Sequence, residues 1–182
     1  MSSIRVISQK AAEQKLPFLL IGGYAVMAHG FARSTYDLDF LIRKNQTDDW
    51  RQLLERLGFK IHFAGPTFLQ FDPPPGERLP LDVMFVNDET FNQMQADAKR
   101  IEAEGSTTNV VSLHHLIALK CHAIRHGNPH RALKDIEDLV QLAKINKLDL
   151  NEPSLRDIIL KHGTAELYEK LKHECGGKSR SA

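Results

Sequence analysis

The spacing of hydrophobic and polar positions changes near residue 110 and divides the chain into two parts. Short apolar runs between glycine, proline and polar clusters predict strands at 17–21, 36–42, 60–63, 67–71 and 81–86. Helical periodicity between those runs predicts helices at 3–14, 24–29, 47–57 and, more weakly, 88–97. Residues 98–111 are expected to be irregular or to form short strands. Only helical patterns follow, at 112–126, 129–145, 153–161 and 164–174.

This order of elements predicts an α/β (α+β) part followed by an all-helical C-terminal part. We place the α/β domain at residues 1–110, a helical region at 111–175 and a disordered tail, GGKSRSA, at 176–182. Residues 67–86 are expected to form a long hairpin, because the segment DPPPGERLP between its two strands excludes regular structure.

Composition narrows the class of protein. The 182 residues are 42% hydrophobic and 26% charged, which is typical of a globular protein, and the net charge of +1 excludes a uniformly basic nucleic-acid wrapper. Two cysteines are too few for a disulfide framework and indicate reduced thiols. The first residues lack the apolar segment of a signal peptide, and the longest apolar stretch, 16–28, is shorter than the ~18 residues of a membrane span. We therefore expect a cytoplasmic protein.

Acidic residues interrupt two of the apolar strands. In YDLDFLI the strand period places Asp37 and Asp39 on one face, about 6–7 Å apart. Two such charges repel and lose hydration unless a cation lies between them. Asp82 in LDVMFV follows the same pattern, and three carboxylates suit a hard divalent cation such as Mg²⁺ or Mn²⁺. The competing interpretation, a solvated or turn-forming aspartate, is strongest for Asp82 taken alone.

Two glycines stand between the first predicted strand and the helix after it. Backbone N–H groups at Gly22 and Gly23, with the positive end of the helix, could hold an anion such as phosphate, although a tight turn explains the pair equally well. Arg33 follows, and either binds phosphate or pairs with an acidic neighbour. Thr35 follows Arg33. We interpret it most simply as a residue that forms a local hydrogen bond and shapes the start of the strand that carries Asp37.

The helical part opens with a basic segment. Residues 112–134 contain four Lys/Arg, five His and no acidic residue, which makes a local positive patch suited to a triphosphate or to RNA. Lys120 lies on the apolar stripe of its helix and needs an anionic partner, either Asp135 or a bound phosphate. A zinc site through His122 and His126 is disfavoured, because no Cys/His quartet has the spacing of a structural site.

The segment IGGYAVMAHGFARSTYDLDFLI resembles the signature of the nucleotidyltransferase (DNA polymerase β-like) superfamily, in the form found in small bacterial AbiEii/AbiGii-like and related uncharacterised nucleotidyltransferases. Asp82 lies where the third carboxylate of that superfamily is expected. The segments LIALK and LKDIEDL resemble the Lys and Lys-Asp-x-x-Asp elements of its helical part. The resemblance covers residues 16–145. It implies a nucleotidyltransferase-like mixed β-sheet with flanking helices, followed by a C-terminal helical bundle.

This resemblance implies Mg²⁺- or Mn²⁺-dependent transfer of a nucleoside monophosphate from an NTP to an acceptor hydroxyl, with release of pyrophosphate. It implies three residues that are both catalytic and metal-binding, Asp37, Asp39 and Asp82. The residues that it implies for nucleotide binding are Gly22, Gly23, Arg33, Thr35, Lys120, Lys134 and Asp135. The acceptor would be RNA such as tRNA, a protein or a small molecule. The chain would be a toxin of a toxin–antitoxin system with an antitoxin-like protein partner.

One departure from the superfamily pattern keeps a second function open. Gly23 stands where the superfamily often has serine, so one hydroxyl expected near the phosphates is missing. The alternative is therefore a non-catalytic nucleotidyltransferase-like module that binds nucleotide or a partner. A nucleotide-sugar glycosyltransferase, which also uses Asp-x-Asp, is disfavoured because its domain is larger and its motif lies further into the chain.

Overall fold

A computed structural model describes residues 3–127 and 129–176. Its contacts divide the chain into two compact units, a sheet unit formed by Met1–Ala25 and Arg33–Ser112, and a helical unit formed by Val26–Ala32 and Leu113–Ala182. The division predicted at residue 110 stays a prediction, and it did not foresee that Val26–Ala32 joins the helical unit. The predicted tail at 176–182 lies outside the described residues except for Gly176, which ends the last helix.

The described part of the sheet unit has seven strands in the order β3-β4-β5-β2-β1-β7-β6. The strands are β1 (Leu19–Leu20), β2 (Leu38–Arg43), β3 (Lys60–Ala64), β4 (Phe68–Asp72), β5 (Leu81–Val86), β6 (Lys99–Ala103) and β7 (Ser106–Val110). The helices that accompany them are α1 (Ser3–Glu13), α2 (Gly22–Ala28), α3 (Thr47–Arg56) and α4 (Asp88–Ala96). The pairs β2–β5 and β1–β7 are parallel and the others antiparallel, which confirms the predicted mixed sheet.

One face of the sheet is closed by an aromatic core. Leu38, Phe40 and Ile42 alternate along β2 and are fully buried, and the Phe40 ring lies 4.4 Å from Phe18 and 6.1 Å from Trp50 of α3. Because strand side chains alternate between faces, burying these three residues places Asp39 and its alternate neighbours on the opposite face. The core therefore fixes which face carries the carboxylates.

Two strand predictions are refined by the structure. The predicted strand at 36–42 begins two residues later, at Leu38, whose N–H donates to the carbonyl of Pro80. Proline has no N–H to continue the ladder, so Asp37 lies in a bend before the strand. Residues 98–111, expected to be irregular or short strands, form a β6–β7 hairpin. Its turn uses left-handed backbone at Glu104 (φ 50°) and Gly105 (φ 78°).

The helical unit packs four helices around an apolar core. They are α5 (Leu113–His126), α6 (Pro129–Ile145), α7 (Pro153–His162) and α8 (Ala165–Gly176), close to the four predicted helices. Buried side chains from all of them share one cluster, which includes Ile117, Cys121, Leu139, Leu155, Ile159, Leu167 and Leu171. The Asn146 side chain donates to the backbone carbonyl of His29, which ties the Val26–Ala32 segment to α6. Among the described residues, no helix is long and apolar enough to cross a membrane.

The aromatic core yields a stability prediction. Phe40→Ala should lower the free energy of unfolding by about 3–5 kcal/mol, because it removes a fully buried ring and leaves a cavity between Phe18 and Trp50. Urea denaturation followed by circular dichroism measures the change. Ile145→Ala, at a side chain 45% exposed, should stay within about 0.5 kcal/mol of the native chain. Equal losses for the two variants would contradict the placement of this core.

Candidate active site

Two carboxylates stand side by side on the face of the sheet opposite the aromatic core. Asp39 of β2 and Asp82 of β5 are directly opposite each other in the parallel β2–β5 ladder. Strands in a sheet are about 4.8 Å apart, so the two side chains project together from neighbouring strands. Asp39 is 9% exposed and Asp82 is half-buried. Two acidic side chains so close, one of them nearly buried, make a strongly negative site at which a cation is favoured.

Gly22 lies against the Asp39 carboxylate. It has a φ of +56°, and a Cβ atom built on it would lie 1.9 Å from Asp39 Oδ2. The backbone N–H of Ile21 also donates to the Asp39 carbonyl. Only glycine allows the chain to turn into α2 this close to the carboxylate. Position 22 therefore requires glycine for a steric reason as well as for its left-handed backbone conformation.

Gly23 makes room for Thr35. A Cβ atom on Gly23 would lie 2.1 Å from the Thr35 hydroxyl oxygen, and that hydroxyl donates to Asp37 Oδ1 at 2.9 Å. The structure therefore explains the departure from serine at this position, because Thr35 already supplies a hydroxyl within the volume that a serine side chain would use. Thr35 also makes the local hydrogen bond to the Asp37 region that the sequence suggested.

Gln70 is a site residue that sequence reasoning missed. It stands opposite Asp82 in the antiparallel β4–β5 pair, and its side-chain nitrogen lies 3.1 Å and 3.2 Å from the two Asp82 carboxylate oxygens. Donation by this amide fixes the plane of the carboxylate. The hairpin predicted over residues 67–86 was a signal that could have identified Gln70. Aligning its two strands residue by residue would have placed Gln70 opposite Asp82.

The start of α2 is anchored from the other side by Tyr24. Its hydroxyl donates to Glu104 in the β6–β7 turn at 2.5 Å. Burial, and then the hydrogen bond and charge of Glu104, raise the pKa of the Tyr24 hydroxyl, so it stays protonated as a donor. Arg33, which the sequence left between phosphate binding and an acidic partner, donates to the backbone carbonyl of Ser34 at 2.9 Å.

The remaining predicted site residues belong to the helical unit. Lys120 is 6% exposed, and its ammonium lies 2.7 Å from Asp135 Oδ1 and 2.6 Å from Asp138 Oδ2. Of the two partners the sequence allowed, Asp135 or a phosphate, the structure forms the first and adds Asp138. Lys134, on α6, is exposed. The Lys120 ammonium thus forms ion pairs with both carboxylates within the helical unit.

Two histidines of α5 lie against each other. The ring centroids of His122 and His126 are 4.6 Å apart, and their planes are inclined by 45°. Burial, and then the charges of His126 and Arg125, lower the pKa of His122, which favours its neutral form. Over residues 3–127 and 129–176, no group of three or more His, Cys, Asp or Glu side chains is arranged to hold a metal ion. This finding includes the acidic residues of the sheet unit, where two carboxylates rather than three stand in register.

Known structures share this fold. ANT(2")-Ia, solved in complex with adenylyl-2"-tobramycin, matches with a TM-score of 0.63 and 17% identity over 86% of this chain and 92% of that one. The lincosamide antibiotic adenylyltransferase LnuA matches at 0.54 and 18% identity, covering 77% and 94%. A nucleotidyltransferase-like protein from Paracoccidioides brasiliensis matches at 0.56 and 18%, covering 97% and 91%. The fold is thus that of the nucleotidyltransferases, as the sequence resemblance implied.

The amino-acid sequence also matches the model of a protein family. A family model described as "Nucleotidyl transferase AbiEii toxin, Type IV TA system" matches residues 5–174, so the chain belongs to the AbiEii nucleotidyltransferase family. A comparison with curated protein sequences gives no match. The chain is therefore a nucleotidyltransferase, an enzyme that transfers a nucleoside monophosphate, and the prediction of this enzyme class is confirmed.

The contact between Gly22 and Asp39 yields a prediction about nucleotide binding. Gly22→Ala should abolish the binding of a nucleoside triphosphate, measured by isothermal titration calorimetry, because the added Cβ displaces the Asp39 carboxylate. The left-handed φ should also lower the free energy of unfolding by roughly 1–2 kcal/mol. Gly76→Ala is the matched control, since Gly76 has a φ of +91° but nothing within 4 Å of an added Cβ. It should lose similar stability and still bind the nucleotide, and loss of nucleotide binding in both variants would contradict the steric explanation.

The buried cluster around Lys120 yields a second prediction. Lys120→Met should lower the free energy of unfolding by about 3–5 kcal/mol, because it leaves two carboxylates in the helical unit without their cation. Adding Asp135→Asn and Asp138→Asn to that variant should restore much of the loss in urea denaturation. Lys144→Met, at an exposed position of α6, should change little. A stable Lys120→Met protein would show that the ion cluster does not hold the helical unit together.

Proposed function

We propose that this chain is a Mg²⁺-dependent nucleotidyltransferase that moves a nucleoside monophosphate from an NTP to an acceptor hydroxyl and releases pyrophosphate; Mn²⁺ would serve in the same place. The observation that carries the proposal is the pairing of Asp39 and Asp82 across β2 and β5, with Gly22 against the Asp39 carboxylate. No side chain at Gly22 or Gly23 obstructs the approach of a ligand to these carboxylates.

The residues present fit a magnesium ion. Mg²⁺ prefers oxygen ligands, and in nucleotide enzymes one or two carboxylates bind it together with substrate phosphates. Asp39 and Asp82 supply two carboxylates in register, and the nearly buried position of Asp39 strengthens the attraction for a cation. Asp37, predicted as a third ligand, hydrogen-bonds to Thr35 and would join them by turning towards the substrate. When bound, the metal would neutralise charge on the phosphates and polarise the phosphoryl oxygens.

The other predicted nucleotide-binding residues would hold the triphosphate. Backbone N–H groups at Gly22 and Gly23 suit phosphate oxygens beside Asp39. The Thr35 hydroxyl would join them by giving up its hydrogen bond to Asp37. Arg33 would add positive charge in the same segment. Contact of Lys120, Lys134 and Asp135 with the nucleotide stays a prediction from the sequence; in the helical unit Lys120 is held by Asp135 and Asp138.

Catalysis would rest mainly on positioning. The attacking and leaving oxygens lie roughly in line in phosphoryl transfer, so the acceptor hydroxyl must approach the α-phosphorus from the side opposite the pyrophosphate. Asp82, held by Gln70, would take the proton of the acceptor hydroxyl or bind a second cation. Asp39, which lies against Gly22, would be one of the carboxylates that hold the metal.

We further propose a role as the toxin of a toxin–antitoxin pair, with RNA such as tRNA as acceptor and an antitoxin-like protein as partner. The family description supports the toxin role, and the basic segment at 112–134 supports RNA. Protein and small-molecule acceptors are the other outcomes of the experiment below; ANT(2")-Ia and LnuA have antibiotics named with them. An NTP substrate fits a cytoplasmic location. The match to a nucleotidyltransferase family model disfavours the alternative, a non-catalytic module.

The test is transfer of label from each α-labelled NTP, in the presence of Mg²⁺ and a cell extract. Label should enter one acceptor class with the native chain, and Asp39→Asn should reduce transfer at least about a thousandfold while the circular dichroism spectrum and melting temperature stay native-like. EDTA should abolish transfer, and Mn²⁺ should restore it. Asp157→Asn, at an exposed position of α7, is the matched control and should transfer normally. An active Asp39→Asn enzyme would overturn the assignment of Asp39.

A further inference from the structure

Four side chains form a single row across the carboxylate face of the sheet. Asp39 pairs with Asp82, Asp82 with Gln70, and Gln70 with Phe63 of β3, each directly opposite the next. Residues paired in this way project from the same face. Phe63 therefore stands two strands from Asp82, about 10 Å away at the usual strand spacing.

Phe63 ends the row with an exposed aromatic surface. Its ring stacks on Phe68 with centroids 5.2 Å apart and planes inclined by 28°, and its side chain remains 46% exposed. Gly65 in the turn between them leaves room for the rings, since a Cβ there would lie 2.9 Å from Phe63 Cε1. β3 is an edge strand, and the exposed part of the Phe63 side chain is open to solvent there. An apolar ring held flat by a second ring is a surface on which another planar ring can stack.

The position of Phe63 and Phe68 in the sheet indicates whether they face the NTP or the acceptor. β1, which leads into Gly22, and β5, which carries Asp82, flank β2 on opposite sides. With the triphosphate at Gly22 and Gly23, the pyrophosphate leaves towards the β1 side, and the acceptor approaches from the β5 side. Beyond Asp82 on that side lie Gln70 and then Phe63.

We propose that Phe63 and Phe68 form the acceptor-side platform of this enzyme, on which a nucleobase of the acceptor stacks while its sugar hydroxyl lies at Asp82. This inference rests on the proposed function, which defines the acceptor side. The platform lies on an open edge of the sheet, so a nucleic-acid chain can continue past the stacked base. Each base stacked on an aromatic side chain contributes about 1–3 kcal/mol to binding.

The test measures two ligands on the same variants, in the presence of Mg²⁺ and an ATP analogue that cannot be cleaved. Fluorescence anisotropy reports the binding of a short labelled single-stranded oligoribonucleotide, and calorimetry reports the binding of the analogue. Phe63→Ala and Phe63→Leu should each weaken oligoribonucleotide binding about tenfold. Phe63→Trp should bind as the native chain does, and all three variants should bind the analogue normally. Ile145→Ala, with a side chain as exposed as Phe63, is the control for loss of apolar surface.

The outcomes separate this inference from the proposed function. A native chain that fails to bind the analogue overturns the proposed function and the acceptor side with it. A native chain that binds the analogue overturns only the platform if it does not bind the oligoribonucleotide, or if Phe63→Ala binds it equally well. Full binding by Phe63→Leu would also overturn stacking. If Phe63→Ala changes only the oligomeric state measured by light scattering, the ring is a contact between copies of the chain, and the platform is overturned.

Competition identifies the source of the base. Displacement of the labelled oligoribonucleotide by free adenosine would assign the platform to a nucleoside-sized acceptor. Displacement by unlabelled oligoribonucleotide alone would assign it to RNA. Either result supports the platform, provided that Phe63→Ala removes the competition.

Discussion

The close approach of Gly22 to the Asp39 carboxylate is the constraint on which the site depends. It sets the turn from β1 into α2, and it brings backbone rather than side chain against a nearly buried charge. Under the proposed function, a cation and a nucleotide would occupy the space beside this carboxylate. The aromatic core around Phe40, on the other face of the same strand, keeps Asp39 from turning away.

Neutral side chains form hydrogen bonds with two of the predicted carboxylates. Thr35 hydrogen-bonds to Asp37 and Gln70 to Asp82, so neutral donors orient acidic groups that would otherwise repel one another freely. Thr35 also accounts for Gly23, because the Thr35 hydroxyl occupies the volume that a side chain at residue 23 would fill. In the sequence, Gly23 in place of serine indicated only a missing hydroxyl. The structure explains this departure from the superfamily pattern by the position of Thr35, twelve residues away.

The helical unit handles charge differently. Lys120 is enclosed with Asp135 and Asp138 in an otherwise apolar bundle, and removing the lysine would leave two carboxylates without their cation. The sequence showed that a lysine on an apolar stripe needs an anion, and it named Asp135 as one candidate. It could not weigh that carboxylate against a phosphate, because the choice depends on how α5 and α6 face each other.

The sequence by itself determined the mixed sheet, the helical C-terminal part and the nucleotidyltransferase class, because periodicity and the Gly-Gly and Asp-x-Asp motifs are local. It also singled out Asp39 and Asp82, since charges are rare on buried strands. Only the tertiary structure decided that Asp37 precedes its strand, that Gln70 holds Asp82 and that Phe63 ends the same row. These features depend on strand register and on the order of strands in the sheet, which bring together residues far apart in the chain and which no local pattern encodes.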